Sequence, residues 1–429
     1  MMRHLTGGIG TLLLLFTAVH AASTDDLPFI SGLRIYGGAN EMLPPIIVHG
    51  DTLPNGTPNT SNDFITVEFD VHTALPPNLE IRFFHCNRDW AQDRNIFLVD
   101  EYHNTLSTFS FAPAPNGVEH YTFHYANPYP DPAGVIRFTY SGNWIFQIVN
   151  RNDPSAILAE GRFLVVDALC PVRVSVANDY FSEAASPLNQ VNRVTASVVV
   201  PKDLEQAFVT TADVYQDRRF YNPRRIDLND TDSYTFVDGI ASLRKRFIVR
   251  NMHPGNEYRR LDISRMTAYP NGQPVRLIGG PDLSRFYSEG PRDLGGSAHV
   301  REFEGLRSDY LLVEFHLSLQ HDPESDIFLA GAFNQWRPTA ADRLAYDPGQ
   351  QWYSIREWIR RGVYDYQYII GTWDETSGEV LDQDWLTLEG NDFRTVADYT
   401  VVLYYNDTHF GGFDRIVGIR KGTSSLSLP

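Results

Sequence analysis

His120 and His124 stand four apart, the spacing at which two imidazoles on one helix face can share a zinc ion. The alternation of Tyr121, Phe123 and Tyr125 argues for a strand instead. There, residues four apart lie about 13 Å from each other, too far for one metal, so an exposed polar face is expected. Asp227, Asn229, Asp230 and Asp232 place oxygen ligands closely enough for calcium. The run lacks the glycine and the terminal bidentate glutamate of an EF-hand, and a solvated turn is the plainer expectation. Asp382 and Asp384 beside Trp385 would suit glycoside hydrolysis only if they faced each other across a cleft. Cys86 and Cys170 are the two cysteines; they could pair in an oxidising compartment, but two thiols are the plainer expectation, with no local feature that activates either. No nucleophile elbow, phosphate loop, zinc-protease helix or dinucleotide fingerprint occurs, so no catalytic, metal or cofactor site is expected.

Period-two alternation sets the elements that must hold these residues. Ile65, Val67, Phe69 and Val71 alternate with Thr66, Glu68 and Asp70. Leu311, Val313, Phe315 and Leu317 repeat the pattern, as do Tyr364, Tyr366 and Tyr368. Such runs, bounded by Pro, Gly, Asn and Asp, read as half-buried antiparallel strands, and their spacing suits β-sandwiches. The expected fold is all-β: tandem immunoglobulin-like sandwich domains over 22–168, 169–297 and 298–421. Residues 1–21 read as a signal peptide, with Arg3 and His4, an apolar run from Ile9 to Val19, and small residues at the cleavage site. Pro44 to Asn62 and Gly279 to Gly296 read as loop or linker, and 422–429 as a disordered tail.

Composition narrows the function. A length of 429 residues supports two to four compact units, and a net charge of −17 excludes a nucleic-acid footprint and docking onto anionic lipid. No apolar run is long enough to span a membrane as a helix, and a chain exported from the cytoplasm is expected. The four Asn-x-Ser/Thr matches, at Asn55, Asn59, Asn229 and Asn406, are read as chance.

Two resemblances follow. Gly331-Ala-Phe333-Asn334-Gln-Trp336, a Tyr-Asp-Pro turn and the Tyr-rich strand resemble early-set domains, which include glycogen- and starch-binding modules. By that likeness Trp336 and Trp373 would stack on a sugar, with Asn334 and Arg337 assisting. The architectural alternative has Trp336 closing the end of a sandwich and Trp373 in a hairpin.

The longer resemblance covers nearly the whole chain after the signal segment. His85-Cys86-Asn-Arg-Asp-Trp90, Ser141-Gly142-Asn143 and Gly161 to Asp167 resemble the type IX secretion system plug protein family. Asn256-Glu257-Tyr-Arg259, Asp309-Tyr310, Gly331 to Trp336, Gly362-Val-Tyr364-Asp-Tyr366 and Asp414-Arg415-Ile-Val-Gly418 follow in the same order. Arg394 to Asp398 and Ile359 to Gly362 depart from the family pattern. The resemblance implies a non-enzymatic periplasmic protein of Bacteroidota. It would seat on the outer-membrane translocon barrel and close its periplasmic side when no cargo carrier is bound. No small-molecule ligand is implied.

Overall fold

The computed structural model describes residues 29–50, 63–100, 102–180, 190–277, 279–286 and 292–424. The expected signal peptide and the residues beyond 424 lie outside them, as does most of the Pro44 to Asn62 stretch. Among the described residues there is no α-helix, only strands and short 3-10 turns, so the fold is all-β.

Six sheets pair into three sandwiches. In the first, strands Ile30–Gly37, Ile65–Val71, Phe123–Tyr129 and Phe111–Pro113 form one sheet. Ile46–His49, Asp153–Asp167, Gly142–Asn150, Leu79–Cys86 and Thr105–Leu106 form the other. Val67, Phe69, Phe83, Tyr125, Trp144, Phe146 and Phe163 fill the space between. Burying each such side chain contributes roughly 1.5–3 kcal/mol, so the alternation has a direct energetic meaning. Ile46–His49 corrects the expected loop: its apolar residues bury in a parallel pairing with Leu164 to Asp167.

The expected boundary between the second and third units is wrong. The middle sandwich opens with strands Val172–Tyr180, Gln190–Val199, Thr235–Asp238 and Arg244–Met252 in one sheet. Its second sheet joins Arg224–Asp227 and Thr211–Gln216 to Asp398–Asp407 and Phe413–Thr423, from the far end of the chain. Thr211 pairs with Tyr404 and Gln216 with Tyr399. Tyr399, Val401, Leu403 and Tyr405 thereby enter the core built around Val194, Val214 and Phe247. The first four strands have one apolar face and need a second sheet to cover it, and local alternation cannot say which distant strands supply it. Gly422 and Thr423, expected in a tail, end the last strand.

The third sandwich is therefore an insertion between Met252 and Ala397. Arg259–Asp262, Ala298–His299, Asp326–Gly331, Val363–Asp374 and Glu379–Asp384 make one sheet. Val275–Arg276, Asp282–Leu283, Tyr310–Ser318, Trp352–Arg360 and Ala345–Asp347 make the other. Leu311, Val313, Phe315 and Leu317 face Tyr364, Tyr366 and Tyr368 across its core. Residues 279–286 and 292–296, from the stretch expected as a linker, lie inside this unit.

Candidate functional site

The residues that carry the plug-family resemblance gather where the sandwiches meet. Between the first and middle units, Ile46, Val48, Leu164 and Val166 pack on Tyr215, Phe220, Val402, Tyr404 and Ile416. The strand Asp398–Asp407 is thus buried on both faces, one toward its own core and the other toward the first unit. At the rim, His85 is 4% exposed, with Nδ1 at 2.6 Å from Asp93 and Nε2 at 3.1 Å from the Ser141 carbonyl. Its ring meets Trp144 and Phe413 edge-on. Gly142 has φ +148, and a Cβ there would run into His85 Nε2 and sit 3.0 Å from the Asp414 carbonyl, so the close approach requires glycine.

Asn143 accepts a 2.9 Å hydrogen bond from Tyr404 and donates to the Asn87 and Arg88 carbonyls. Arg88 N donates to Asp414 at 3.0 Å. Arg415 bridges Asp167 and Asp407, each at 2.8 Å, while Ser141 donates to Asp167 at 2.7 Å. Burial works against ionisation of Asp167, but hydrogen bonds from His49, Arg415 and Ser141 outweigh it and hold the carboxyl at about 2. Gly418 packs against Val172 and the Cys170 carbonyl. Trp90, at φ +63, has the Arg162 guanidinium 4.8 Å from its ring. Cys86 and Cys170 are buried free thiols, pushed up to about 12 chiefly by burial, which suits packing and not nucleophilic work.

The seam between the first and third units is charged. Glu68 and Asp70, expected on a solvent face, are 2% and 0% exposed because the third unit covers them. Arg34 pairs with Glu68 and Glu41 from within the first unit. Arg360 reaches Asp70 at 3.1 Å and Glu68 at 3.5 Å from the third. Burial again opposes ionisation of Glu68, and the Arg34 and Arg360 guanidiniums and His124 overcome it, holding the carboxyl at about 2. His124 lies 2.6 Å from Asp70, and His120 lies 3.0 Å from Asp309 with its ring over Trp358. The two histidines are therefore seam residues and not an exposed face, and His120 precedes its expected strand. Asp309 also accepts from the Glu119 and His120 backbone N–H groups, each at 3.1 Å. Gly362 sits against the His299 carbonyl, and Tyr364 donates to the Arg360 carbonyl at 2.6 Å.

The third seam joins the middle unit to the insertion: Tyr258 donates to Asp217 at 2.9 Å, Arg218 donates to Ser297 at 3.0 Å, and Asn391 donates to the Gln190 carbonyl at 3.1 Å. Behind that seam, the insertion ties its own loops together. Asn256 donates to the Glu389 carbonyl at 2.9 Å, and the Glu257 carboxylate accepts from Asp293 N. Glu389, 0% exposed, takes Arg259 and Arg285 together. Tyr366 donates to Asp282. Trp336 is 3% exposed, donates to the Gly296 carbonyl at 2.7 Å, and packs on Tyr258 and Trp385. Its burial corrects the sugar-platform expectation, because no ring face is left open. Trp373 lies in a hairpin opposite Val380 and packs on the same cluster. Asn334 binds Leu329 O and Asp342, closing the turn at Gly331 around Phe333. Arg337 turns to Glu160 and the Tyr221 ring. At the point where all three units meet, Arg34, Glu41, Arg218, Tyr221, Ser297 and Trp336 line a cavity of about 80 Å³.

The remaining carboxylate candidates are spent locally. Asp227 takes Arg88 and Thr211, Asp232 caps the turn at Tyr234 and Thr235, and Asp384 caps Leu386 and Thr387. Among the described residues no group of three or more His, Cys, Asp or Glu is placed to hold a metal ion. Also among them, no helix is long and apolar enough to cross a membrane.

Residues 49–167 match the family model for the type 9 secretion system plug protein 1st domain. The match makes the first unit similar to the plug-protein first domain that the sequence resembles. Its span holds His85, Ser141, Gly142, Asn143 and Asp167, the plug-domain half of the first seam. A search of curated proteins found no match. The crystal structure of a hypothetical protein from Parabacteroides merdae ATCC 43184 is similar in fold, with a TM-score of 0.71 at 19% identity. The likeness covers 93% of this chain and 98% of that one, and so includes all three units. A marsupial T cell receptor, with a TM-score of 0.15 at 8% identity, shares too little to bear on the fold.

The seams that these residues build missed detection in sequence for a physical reason. Arg34, Glu41, Glu68, Asp70, Asp167 and Arg360 are ordinary surface residue types. Only the unit covering them makes them interior.

Proposed function

We propose that this protein is a periplasmic plug for the type IX secretion system, seated on the outer-membrane translocon barrel and closing its periplasmic side when no cargo carrier is engaged. The observation that carries the reading is the plug-domain match over residues 49–167. The three seams support it. Two neighbouring domains ordinarily move against each other, and a stopper must not. Here an apolar strand face holds the middle unit on the first, buried ion pairs hold the third on the first, and hydrogen bonds from Tyr258 and Arg218 tie the third to the middle. A blocking role asks for area and shape, with no reactive group.

The seating contact proposed is the turn that follows Asn95 in the first unit. Ile96, Phe97, Val99 and Tyr102 are 79%, 59%, 49% and 79% exposed there, while Leu98 at 2% anchors the turn in the domain. The Asn95 side chain accepts from Phe97 N at 3.0 Å, so the apolar side chains are presented on a formed turn. An exposed apolar group of this kind marks a contact with another macromolecule. The test is deletion of the gene followed by periplasmic dye-leakage and affinity purification of the tagged chain. The reading predicts leakage and recovery of the barrel; unchanged permeability and no barrel in the eluate would rule it out.

A further inference from the structure

A cleft of about 440 Å³ lies between the middle and third units, bordered by Asn256, Tyr258 and Trp385. Its lining includes six carboxamide side chains: Gln216, Asn222, Asn251, Asn256, Gln367 and Gln383. Two of them are unspent. Gln367 is 3% exposed, and its Oε1 has no hydrogen-bond partner; the Oδ1 of Asn251 has none either. Two donors are equally unmet, the indole N–H of Trp385, 8% exposed, and the Nε of Arg219. The Arg219 guanidinium lies 4.8 Å from the Trp385 ring, and its charge also acts on the buried Asp217 carboxylate. Buried polar atoms left unpaired are costly and uncommon in folded chains, and several on one cleft wall indicate something that pairs with them. Asn251 sits in the β-bulge beside Asn192, with φ +58, a conformation that glycine and asparagine adopt most readily.

We infer that this cleft binds a short extended polypeptide segment through its peptide groups. A peptide unit offers one carbonyl and one N–H. The carbonyls suit the Trp385 and Arg219 donors, and the N–H groups suit the Asn251 and Gln367 oxygens. A volume of 440 Å³ is in the range of pockets that enclose small ligands, enough for a few residues. Met252, Pro254 and Leu386 supply apolar contact for side chains. A saccharide fits less well because the aromatic rings at the cleft are covered. Trp385 packs between Trp336 and Arg219, and Tyr258 is 8% exposed, so neither gives a sugar ring a face to stack on. The inference is independent of the plug reading, and either can fail without the other.

The test uses the full chain and a dye-labelled random hexapeptide mixture, blocked at both ends, read by fluorescence polarisation. Saturable binding is expected, and Asn251→Gly and Gln367→Met should each weaken it by about 10-fold, the effect of one lost buried hydrogen bond. Both variants should melt at or above the temperature of the parent chain. The first puts in glycine, which accepts positive φ, and the second deletes an unmet acceptor. Four results would overturn the inference: no saturable binding, binding that both variants leave intact, variants that melt lower because the groups serve structural water, or a cleft that takes maltohexaose and no peptide.

Discussion

Tyr310 of the third unit donates a 2.8 Å hydrogen bond to Asp70 of the first. The same carboxylate takes Arg360 at 3.1 Å and His124 at 2.6 Å. Two buried acids, Glu68 and Asp70, are thus neutralised partly from across a domain boundary. A buried ion pair adds little net stability over an apolar replacement, but removing one partner leaves a charge stranded. The seam fixes the orientation of the two units more than it adds stability.

That asymmetry gives a mutational prediction. Arg360→Met should cost about 3–5 kcal/mol, because it strands buried carboxylate. Tyr310→Phe should cost about 1 kcal/mol, because Asp70 keeps its cationic partners. Urea unfolding of the two variants checks this, and equal costs would show that the seam charges are not coupled.

Acid should loosen both seams of the first unit. Glu68 and Asp167 are held at about 2 in the folded chain, below their ordinary values of 4.5 and 3.8. A depressed carboxyl contributes stability that is present above its unfolded value and is lost as pH falls through the folded one. The loss therefore falls between about pH 4.5 and pH 2. Limited proteolysis across that window should cut first at the unit boundaries, and small-angle scattering should show an expanded chain. Compact scattering at pH 2 would contradict it.

Asp365 should behave in the opposite sense. Burial, and after it the neighbouring Asp293, raises its carboxyl to about 7. Its Oδ2 accepts from Leu294 N and Gly296 N, while Oδ1 has no partner. A raised acid favours the folded chain at low pH, and that contribution is lost as pH rises from about 4 toward 7. Asp365→Asn keeps an oxygen for the two N–H groups and cannot ionise. The variant should match the parent near pH 5 and exceed its stability by about 2 kcal/mol at pH 8. Thermal melts at the two pH values decide, and a variant less stable at pH 8 would contradict the expectation.

The exposed turn of the first unit gives the prediction closest to function. Ile96→Ser with Phe97→Ser should leave the melting temperature nearly unchanged, as surface changes do, typically within about 0.5 kcal/mol. It should reduce recovery of the barrel partner by about 10-fold or more, as loss of apolar anchors does. Full recovery would move the seating contact elsewhere on the body.

Much of the fold was legible in alternation. Val67 and Phe69, Val313 and Phe315, and Tyr364 and Tyr366 all face cores, because period two is a property of the strand itself. Which strands join which sandwich was not legible. Tyr399 and Leu403 carry the same pattern whether they pair with Thr211–Gln216 or with a strand of the third unit. The candidate site divided in the same way. His85, Gly142, Asn143, Asp414 and Arg415 were found through resemblance, yet their purpose became visible only once Asp167 and Tyr404 were beside them. Trp336 misled because a tryptophan after a strand end reads alike as platform or stopper, and the Gly296 carbonyl that takes its N–H is distant in sequence.

The insertion between Met252 and Ala397 has a consequence for biogenesis. A chain that emerges from its N-terminus delivers the whole inserted sandwich before the strands that complete the one enclosing it. Until Asp398–Asp407 arrives, the core face of Gln190–Val199 is covered only by the strands at Val214 and Ile226, and the seam face of the first unit only by Tyr215 and Phe220. That single late strand closes two apolar surfaces at once. A chain held at that stage exposes apolar surface prone to aggregation, and arrival of the C-terminal hairpin removes it.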